Sequence, residues 1–237
     1  MKTLIIIPAY NEALNIEKTV QDIIQNTNYD YVIINDGSKD NTLEILKRNN
    51  FNYINLVSNL GIGGAVQTGY KYAYQNNYDI AVQFDGDGQH DAKYIKNICE
   101  PIINGQADMC IGTRYLDKSS SKFQSTAMRR FGSTIISFFI KLCCHKKITD
   151  PTSGFRAINK SIIARFAKEY PKEYPEPEST VSLLVNKYKV MEVPVSMNER
   201  IGGVSSIKPW KSIDYMLKVI LAILIDSISF RKNGGKK

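Results

Sequence analysis

Along the first half of the chain, short apolar runs alternate with segments in which apolar residues recur every three or four positions, as in a helix. No other feature of the sequence limits the possible folds as strongly. Residues 4–7 are all apolar and end at Pro8, as expected for a buried parallel strand. Apolar residues then recur at helical spacing over 16–24, which predicts a helix. Further strands are predicted near 31–34, 53–57, 80–84 and 109–111. Interleaved strands and helices predict an α/β protein with a mixed, mostly parallel sheet flanked by helices.

The second half of the chain is less regular. Residues 117–130 are polar and basic and predict a loop, whereas 135–144 predict a short apolar helix. Prolines between 170 and 177 exclude one continuous helix there. A last apolar helix is predicted from about 212 to 230. The length of 237 residues suits one large domain, which we place at 1–211, followed by a helix and basic tail at 212–237.

Carboxylates follow two of the predicted strands. Asp36 comes directly after one strand, and Asp85 and Asp87 follow another. Ligands of open α/β sheets bind outside the carboxyl ends of the strands, so these side chains are expected at one site. Two carboxylates separated by one glycine suit a hard cation such as Mg²⁺ or Mn²⁺, which prefers oxygen ligands and bridges to phosphates. Gln89 adds an amide oxygen.

Two other site types are excluded by the same segments. An EF-hand loop needs glycine at its sixth position and glutamate at its twelfth, where this chain has His90 and Lys96. A dinucleotide fingerprint needs a third glycine where this chain has Val66. The four cysteines show no metal spacing and no disulfide pattern, which favours a reducing compartment.

The formal net charge of +8 indicates an anionic partner. Nucleic acid is not expected, because the basic residues do not form a groove interleaved with aromatic side chains. Anionic lipid and phosphorylated substrates remain as the expected partners.

Four motifs, taken together and in order, resemble those of family 2 glycosyltransferases. They are Ile7-Pro8-Ala9-Tyr10-Asn11-Glu12, the Asn35–Thr42 segment, Asn59-Leu60-Gly61 and Asp85-Gly86-Asp87-Gly88-Gln89-His90. The resemblance covers about residues 1–205 and is to the branch of dolichol-phosphate mannose synthases and bacterial polyprenyl-phosphate glycosyltransferases. It implies a GT-A fold with a C-terminal amphipathic helix, and a metal-dependent hexosyltransferase that inverts the anomeric centre.

The resemblance also implies roles for individual residues. The residues implied to bind the nucleotide-sugar are Pro8, Ala9, Tyr10, Glu12, Asp36, Asp85, Arg200 and Lys208. The implied metal ligands are Asp85, Asp87 and Gln89, with Asp87 also counted as catalytic. Asp150, in a segment similar to the branch's D-x-T-S-G-F-R motif, is the candidate acidic residue beside the reacting centre, acting either as a base or as an orienting group.

The expected acceptor is a polyprenyl phosphate of the undecaprenyl type. A lipid phosphate is already an anionic nucleophile and needs cationic positioning more than deprotonation, for which arginine is suited. The resemblance implies that Arg114, Arg130 and Ser133 hold this phosphate, with Arg114 and Arg130 counted as catalytic. The alternatives are a sugar-hydroxyl acceptor, which would require an essential carboxylate base, and a non-catalytic sugar-nucleotide-binding subunit.

The donor is expected to be a UDP-sugar, with N-acetylglucosamine or glucose as cargo. The glycine loop at 61–64 lacks the lysine often seen in eukaryotic-type mannose synthases, and the segment from Arg200 is built differently. These departures favour the bacterial UDP-dependent relatives over a GDP-mannose enzyme, which remains the alternative donor assignment.

The predicted C-terminal helix has a broad apolar face beside a stripe of charged residues. Asp214, Lys218 and Asp226 interrupt the apolar run, so it is too polar for the roughly 20 apolar residues of a membrane span. With the basic tail it suits a helix lying at the surface of an anionic membrane. We expect a peripheral protein on the cytoplasmic face of the cell membrane. Packing on the protein's own core, a homo-oligomer or a small membrane-protein partner are the alternatives.

Overall fold

The computed structural model describes residues 1–116, 127–198, 216, 218–225 and 227–228, and for 127–129 it describes the backbone alone. Strands and helices alternate as the sequence predicts. The strands are β1 (Thr3–Ala9), β2 (Asp30–Asn35), β3 (Tyr53–Asn55), β4 (Ile80–Gln83), β5 (Met109–Thr113), β6 (Arg156–Asn159) and β7 (Val190–Pro194). The helices are α1 (Ile16–Asn26), α2 (Thr42–Arg48), α3 (Gly61–Gln75), α4 (Ile95–Ile103), α5 (Ala127–Cys144), α6 (Lys160–Lys168) and α7 (Pro175–Val185).

The seven strands form one mixed sheet in the order β3-β2-β1-β4-β6-β5-β7. Strands β1 to β4 run parallel, and β7 is parallel to β5. Only β6 is antiparallel to both of its neighbours, β4 and β5. The predicted mixed, mostly parallel α/β sheet is therefore confirmed.

The hydrophobic core lies on both faces of this sheet. Successive residues of a strand point to opposite faces, so Leu4 and Ile6 of β1 join one cluster while Ile5 and Ile7 join the other. Helices α3, α5, α6 and α7 cover the first face, and α1 and α4 cover the second. Burial on both faces explains why β1 is a continuous apolar run and not an alternating one.

Helix α5 is longer than the sequence predicted. The expected loop over 117–130 is wrong at its end, because α5 begins at Ala127. Ser133, Ile136 and Ile140 share a buried face at helical spacing, so the core continues toward the start of the helix despite its basic residues. The part of the loop at 117–126 lies outside the described residues.

The C-terminal segment is helical at 216, 218–225 and 227–228. Val219 and Ile223 are fully buried in the first core cluster, whereas Leu221, Ile225 and Ile228 are exposed. One face of this helix therefore packs on the protein's own core and another apolar face is open. The predicted domain boundary near 211 falls outside the described residues and stays a prediction. Within the described part of the chain, no helix is long and apolar enough to cross a membrane.

Candidate active site

The carboxyl ends of three neighbouring parallel strands meet at one edge of the sheet. Ala9 at the end of β1 pairs with Asn35 at the end of β2. The carbonyl of Ala9 accepts the Asp36 N–H at 2.9 Å, and the carbonyl of Pro8 accepts the Gly86 N–H at 3.3 Å. The turns that carry Asp36 and Asp85 are thus tied to the same strand, which brings the predicted nucleotide and metal residues to one crevice.

Asp36 is 3% exposed and anchors the glycine loop. Its Oδ1 accepts the backbone N–H of Leu60 at 2.7 Å, and its carbonyl accepts the side-chain amide of Asn59 at 3.1 Å. Among the described residues, the second carboxylate oxygen has no hydrogen-bond donor, and it would be available to a nucleobase. Tyr10, at the start of the preceding loop, is 43% exposed. The two loops are joined, because the Asn11 N–H donates to Oγ of Ser38 at 2.9 Å, and an open aromatic ring on such a loop is suitable for stacking a base.

The acidic turn after β4 presents two partly exposed carboxylates. The Oδ1 of Asp87 accepts the backbone N–H of Gln89 at 3.1 Å, and Gly88 supplies the positive φ of 76° that this turn requires. In the described residues, no three His, Cys, Asp or Glu side chains converge to form a complete metal cage. Two carboxylates and the Gln89 amide fit a cation that completes its shell with waters and substrate phosphates.

Asp85 is held in its charged form by its surroundings. Burial acts to raise its pKa, but the side chain of His90, 3.2 Å from Oδ2, and the amide of Gln83, 3.3 Å from Oδ1, lower the pKa of Asp85 below its ordinary value. His90 is itself buried and stacked on Phe155 at 4.9 Å between ring centroids. An ionised, oriented carboxylate is what a cation site needs.

Gly154 lets a second turn approach Asp85 closely. A Cβ atom at this position would lie 2.5 Å from Oδ2 and 2.9 Å from Oδ1 of Asp85, closer than real Cβ atoms approach other atoms. The segment at 150–154 therefore packs directly against the acidic turn, and only glycine permits this contact.

Arg114 and Asp150 form a buried, bidentate ion pair at the end of β5. Nε of Arg114 lies 2.7 Å from Oδ2 of Asp150, and Nη2 lies 2.8 Å from Oδ1. The side chain of Asp150 is 0% exposed and that of Arg114 is 15% exposed. Burial opposes the charged guanidinium, but the bonds to Asp150 and its charge raise the pKa of Arg114, and Asp85 adds to this effect. The pair is therefore an electrostatic neighbour of the acidic turn.

The comparisons with known proteins agree with this geometry. The model of Glycosyl transferase family 2 matches residues 4–166. The chain belongs to glycosyl transferase family 2. A curated relative, the UDP-N-acetylglucosamine–dolichyl-phosphate N-acetylglucosaminyltransferase of Methanococcus voltae, is 37% identical over 212 residues, covering 81% of this chain and 83% of the relative.

Two further similarities concern the family and the fold. The polyprenol monophosphomannose synthase of Mycolicibacterium smegmatis is 25% identical over 231 residues, which cover 92% of this chain and 85% of that protein. The crystal structure of glucosyl-3-phosphoglycerate synthase from Mycobacterium tuberculosis, in complex with Mn²⁺, UDP and glucosyl-3-phosphoglycerate, aligns with a TM-score of 0.70 at 14% identity. It covers 95% of this chain and 79% of that one, and confirms the GT-A fold.

Three more of the residues predicted to bind the nucleotide lie in β1 or just after it. Pro8 and Ala9 are buried in β1, where their carbonyls tie the site loops together. Glu12 is nearly buried, and its Oε2 accepts the side-chain amide of Asn15 at 2.9 Å. Contact of these three residues with a nucleotide stays a prediction.

The predicted acceptor-phosphate residues are only partly described. Arg130 is exposed on α5, whereas Ser133 is buried with no hydrogen-bond partner for its Oγ among the described residues. Arg200 and Lys208 lie outside the described residues. Two of the three guanidinium nitrogens of Arg114 donate to Asp150, and contact of Arg114 with an acceptor phosphate stays a prediction.

Arg156 organises the turn that carries Asp150. It is 1% exposed and donates to the carbonyls of Ser153 at 2.6 Å, Pro151 at 2.8 Å and Glu176 at 2.7 Å. Two hydroxyls of α7 also accept from it, at 3.1 and 3.0 Å. Arg156 is therefore a buried residue that holds this turn together and not part of a surface ion pair.

Sequence reasoning missed two groups beside the acidic turn, His90 and Glu176. Burial raises the pKa of Glu176, and the charge of Asp85 raises it further. The charge of Arg156 acts in the opposite direction but does not cancel these two effects. Glu176 lies in the first turn of α7, far along the chain from Asp85, so no local pattern pointed to it. His90 directly follows the metal motif, which was the available signal.

Proposed function

We propose that this family 2 glycosyltransferase moves a hexosyl unit from a UDP-sugar to a polyprenyl phosphate of the undecaprenyl type. The observation that carries the proposal is the buried Arg114–Asp150 pair beside the Asp85 turn. Nη1 of Arg114 takes no part in the two bonds to Asp150, and it would donate to an anionic acceptor next to the site expected for a diphosphate. The M. voltae relative, named for a dolichyl-phosphate acceptor, supports the same acceptor chemistry.

The donor end of the site is proposed to be Asp36 and Tyr10. Oδ1 of Asp36 accepts the Leu60 N–H, and the acceptor sites that remain on this carboxylate would bind an N–H donor of the base, such as the imide of uracil. The name of the M. voltae relative supports UDP-N-acetylglucosamine as donor. Glucose remains the second cargo, and GDP-mannose is the alternative, in line with the M. smegmatis relative's name.

Asp85 and Asp87, with the Gln89 amide, are proposed to hold Mg²⁺ or Mn²⁺ against the donor diphosphate. The Mn²⁺ in the aligned M. tuberculosis structure supports a divalent ion of this kind. A bound ion would offset the negative charge that develops on the departing nucleoside diphosphate. Asp87→Asn should therefore reduce turnover strongly while leaving the fold intact.

Asp150 is proposed to orient Arg114 and not to act as a base. Both of its oxygens accept short hydrogen bonds from a guanidinium, and its side chain is closed to solvent. A lipid phosphate needs no deprotonation to attack the anomeric carbon, so a site without a free base is sufficient. Attack from the face opposite the diphosphate inverts the configuration.

A sugar-hydroxyl acceptor is the second candidate, and Glu176 is the observation that favours it. A half-buried carboxyl group with a raised pKa beside Asp85 has the properties of a general base. Glu176→Gln distinguishes the two: it should leave transfer to a lipid phosphate largely intact, and it should abolish transfer to a hydroxyl.

The deciding experiment is a donor screen with purified protein, short-chain polyprenyl phosphate and Mn²⁺ or Mg²⁺. Each common UDP- and GDP-sugar is tested for release of nucleoside diphosphate together with a glycolipid product. A single productive UDP-sugar, dependent on both metal and lipid phosphate, supports the proposal. Product from GDP-mannose alone would refute the donor assignment and leave the acceptor assignment intact.

A membrane surface is proposed as the place where the acceptor is met. Helix α5 exposes Phe131, Phe138 and Leu142, and the C-terminal helix exposes Leu221, Ile225 and Ile228. The two helices are in contact, since a Cβ on Gly132 would lie 3.2 Å from the sulfur of Met216. Exposed apolar groups with basic residues nearby on α5 and its following turn suit an anionic bilayer. It stays a prediction that a homo-oligomer or a small membrane-protein partner covers the same surface instead. The cytoplasmic face as the location also stays a prediction.

Flotation with liposomes of phosphatidylcholine and phosphatidylglycerol tests this surface. Phe138→Glu should reduce the bound fraction severalfold, because it places a charge among apolar groups. Ile24→Glu, at another exposed apolar site, on α1 over the opposite face of the sheet, is the control and should bind as the unmodified protein does. Equal binding by all three proteins would contradict the membrane proposal.

A further inference from the structure

Glu192 lies on β7, at one edge of the sheet, and its carboxylate receives three donors from the turn after α5. Its Oε1 accepts the backbone N–H groups of Thr149 at 2.8 Å and Asp150 at 2.9 Å, and the Thr149 hydroxyl at 2.9 Å. Its Oε2 also accepts the Thr149 N–H at 2.8 Å. Two consecutive backbone donors that belong to no strand or helix are thus satisfied by one anion.

This arrangement fixes the position of Asp150 from its backbone side. Partly buried backbone N–H groups must find acceptors, and charge-assisted hydrogen bonds are about twice as strong as neutral ones. The Thr149 hydroxyl is also 2.9 Å from the hydroxyl of Thr113 on β5. The start of the 149–154 segment is therefore anchored to both edge-side strands, β5 and β7.

The side chain of Asp150 then fixes Arg114. Glu192 and Ile111 are partners in the parallel β5–β7 register, and Arg114 directly follows β5. The backbone of Asp150 is consequently held by β7 while its carboxylate holds the arginine that follows β5. Glu192 is thus linked through the backbone and side chain of Asp150 to the guanidinium of Arg114, whose side chain is 15% exposed.

We propose that Glu192 is a positioning residue that sets the orientation of Arg114 through Asp150. Its role is indirect, because its oxygens are already engaged by the 149–150 backbone. The consequence for an acceptor phosphate at Arg114 rests on the proposed function, whereas the orientation of Arg114 does not.

Arginine Nε–H resonances give a test that needs no turnover. Arg114 donates its Nε–H to Asp150, and Arg156 donates its Nε–H to Ser153, so both should be protected from exchange with water. Glu192→Gln keeps the side-chain size but presents an amide group to one of the donors. We expect exchange at Arg114 to accelerate about tenfold, the factor implied by weakening roughly one charge-assisted hydrogen bond.

Each outcome of this experiment decides the proposal. Faster exchange at Arg114 with Arg156 unchanged supports it. Unchanged exchange at both arginines would overturn the proposal, because Glu192 would then have no effect on Arg114. Equal acceleration at both would also overturn it, because the substitution would then have loosened the protein as a whole. Glu100→Gln, the same change at an exposed site on α4, should alter neither signal. If E192Q does not fold, Thr149→Val removes one donor to the same carboxylate and should accelerate Arg114 exchange in the same direction.

Turnover measurements separate this inference from the proposed function. With an active enzyme, E192Q should raise KM for lipid phosphate and leave UDP-sugar binding unchanged. The double variant E192Q/D150N should lose no more activity than D150N, since both act through Arg114. Additive losses would contradict the indirect role. An unmodified enzyme that transfers nothing to lipid phosphate would refute the proposed function, while the Nε–H exchange result would still decide the role of Glu192.

Discussion

Breaking the Arg114–Asp150 pair should destabilise the protein by several kcal/mol. Both bonds are short, at 2.7 and 2.8 Å, and Asp150 is fully buried. Removing one partner of a buried pair costs about 3–5 kcal/mol, because the other charge is left without compensation. Asp150→Asn retains one acceptor oxygen, so we expect the lower value, about 3 kcal/mol. For a domain of this size that corresponds to a fall in Tm of about 6–12 °C.

Urea unfolding and calorimetry of D150N measure this loss. Arg48→Met, which removes the exposed pair between Arg48 and Glu17 at 3.0 Å, is the matched control and should cost less than about 1 kcal/mol. The double variant R114M/D150L should recover most of the lost stability, since apolar replacements of both partners are often neutral, but no activity. A D150N protein within about 1 kcal/mol of the unmodified protein would refute the reasoning, because a buried charge cannot lose its partner at so small a cost.

Three further predictions concern the acidic turn and the core. Gly154→Ala should weaken Mn²⁺ binding and turnover by about tenfold or more, because the Cβ of the new alanine would displace the Asp85 carboxylate. Electron paramagnetic resonance measures the Mn²⁺ affinity, and an unchanged affinity would contradict this prediction. The pKa of Asp85 is lowered by folding, so its ionisation stabilises the folded protein above its ordinary pKa of 3.8, and this stabilisation is lost as the pH falls through the folded-state pKa. His90→Gln should reduce this acid dependence of stability. An acid-unfolding curve identical to that of the unmodified protein would contradict the prediction. Burial raises the pKa of Cys99 and Cys110 to about 12, so a thiol reagent should label the two cysteines at the end of α5 far sooner; equal labelling rates would be the contrary result.

The sheet and the acidic turn could be predicted from the sequence because their signals are local. A run such as 4–7, ended by Pro8, is a strand whatever it pairs with, and the carboxyl ends of parallel strands share one edge. The position of Asp36 and Asp85 in one crevice followed from these two facts alone.

The remaining elements depend on contacts between distant residues. Strand β6 has only four residues and pairs antiparallel with β4 and β5, which no local pattern specifies. Arg114 and Asp150 are 36 residues apart, and Glu192 and Asp150 are 42 apart. In the sequence each of these side chains is a separate charge, so no pattern predicted that Arg114 and Asp150 form a buried pair.

The comparison of a polyprenyl phosphate with the matching polyprenol tests the central claim most directly. Both lipids have the same chain, and only the first offers an anion to Arg114. Incubated with the productive UDP-sugar and Mn²⁺, the phosphate should yield a glycosyl phospholipid by mass spectrometry, and the alcohol should yield none. Equal transfer to the alcohol, or transfer to the phosphate that survives Arg114→Met undiminished, would contradict the account.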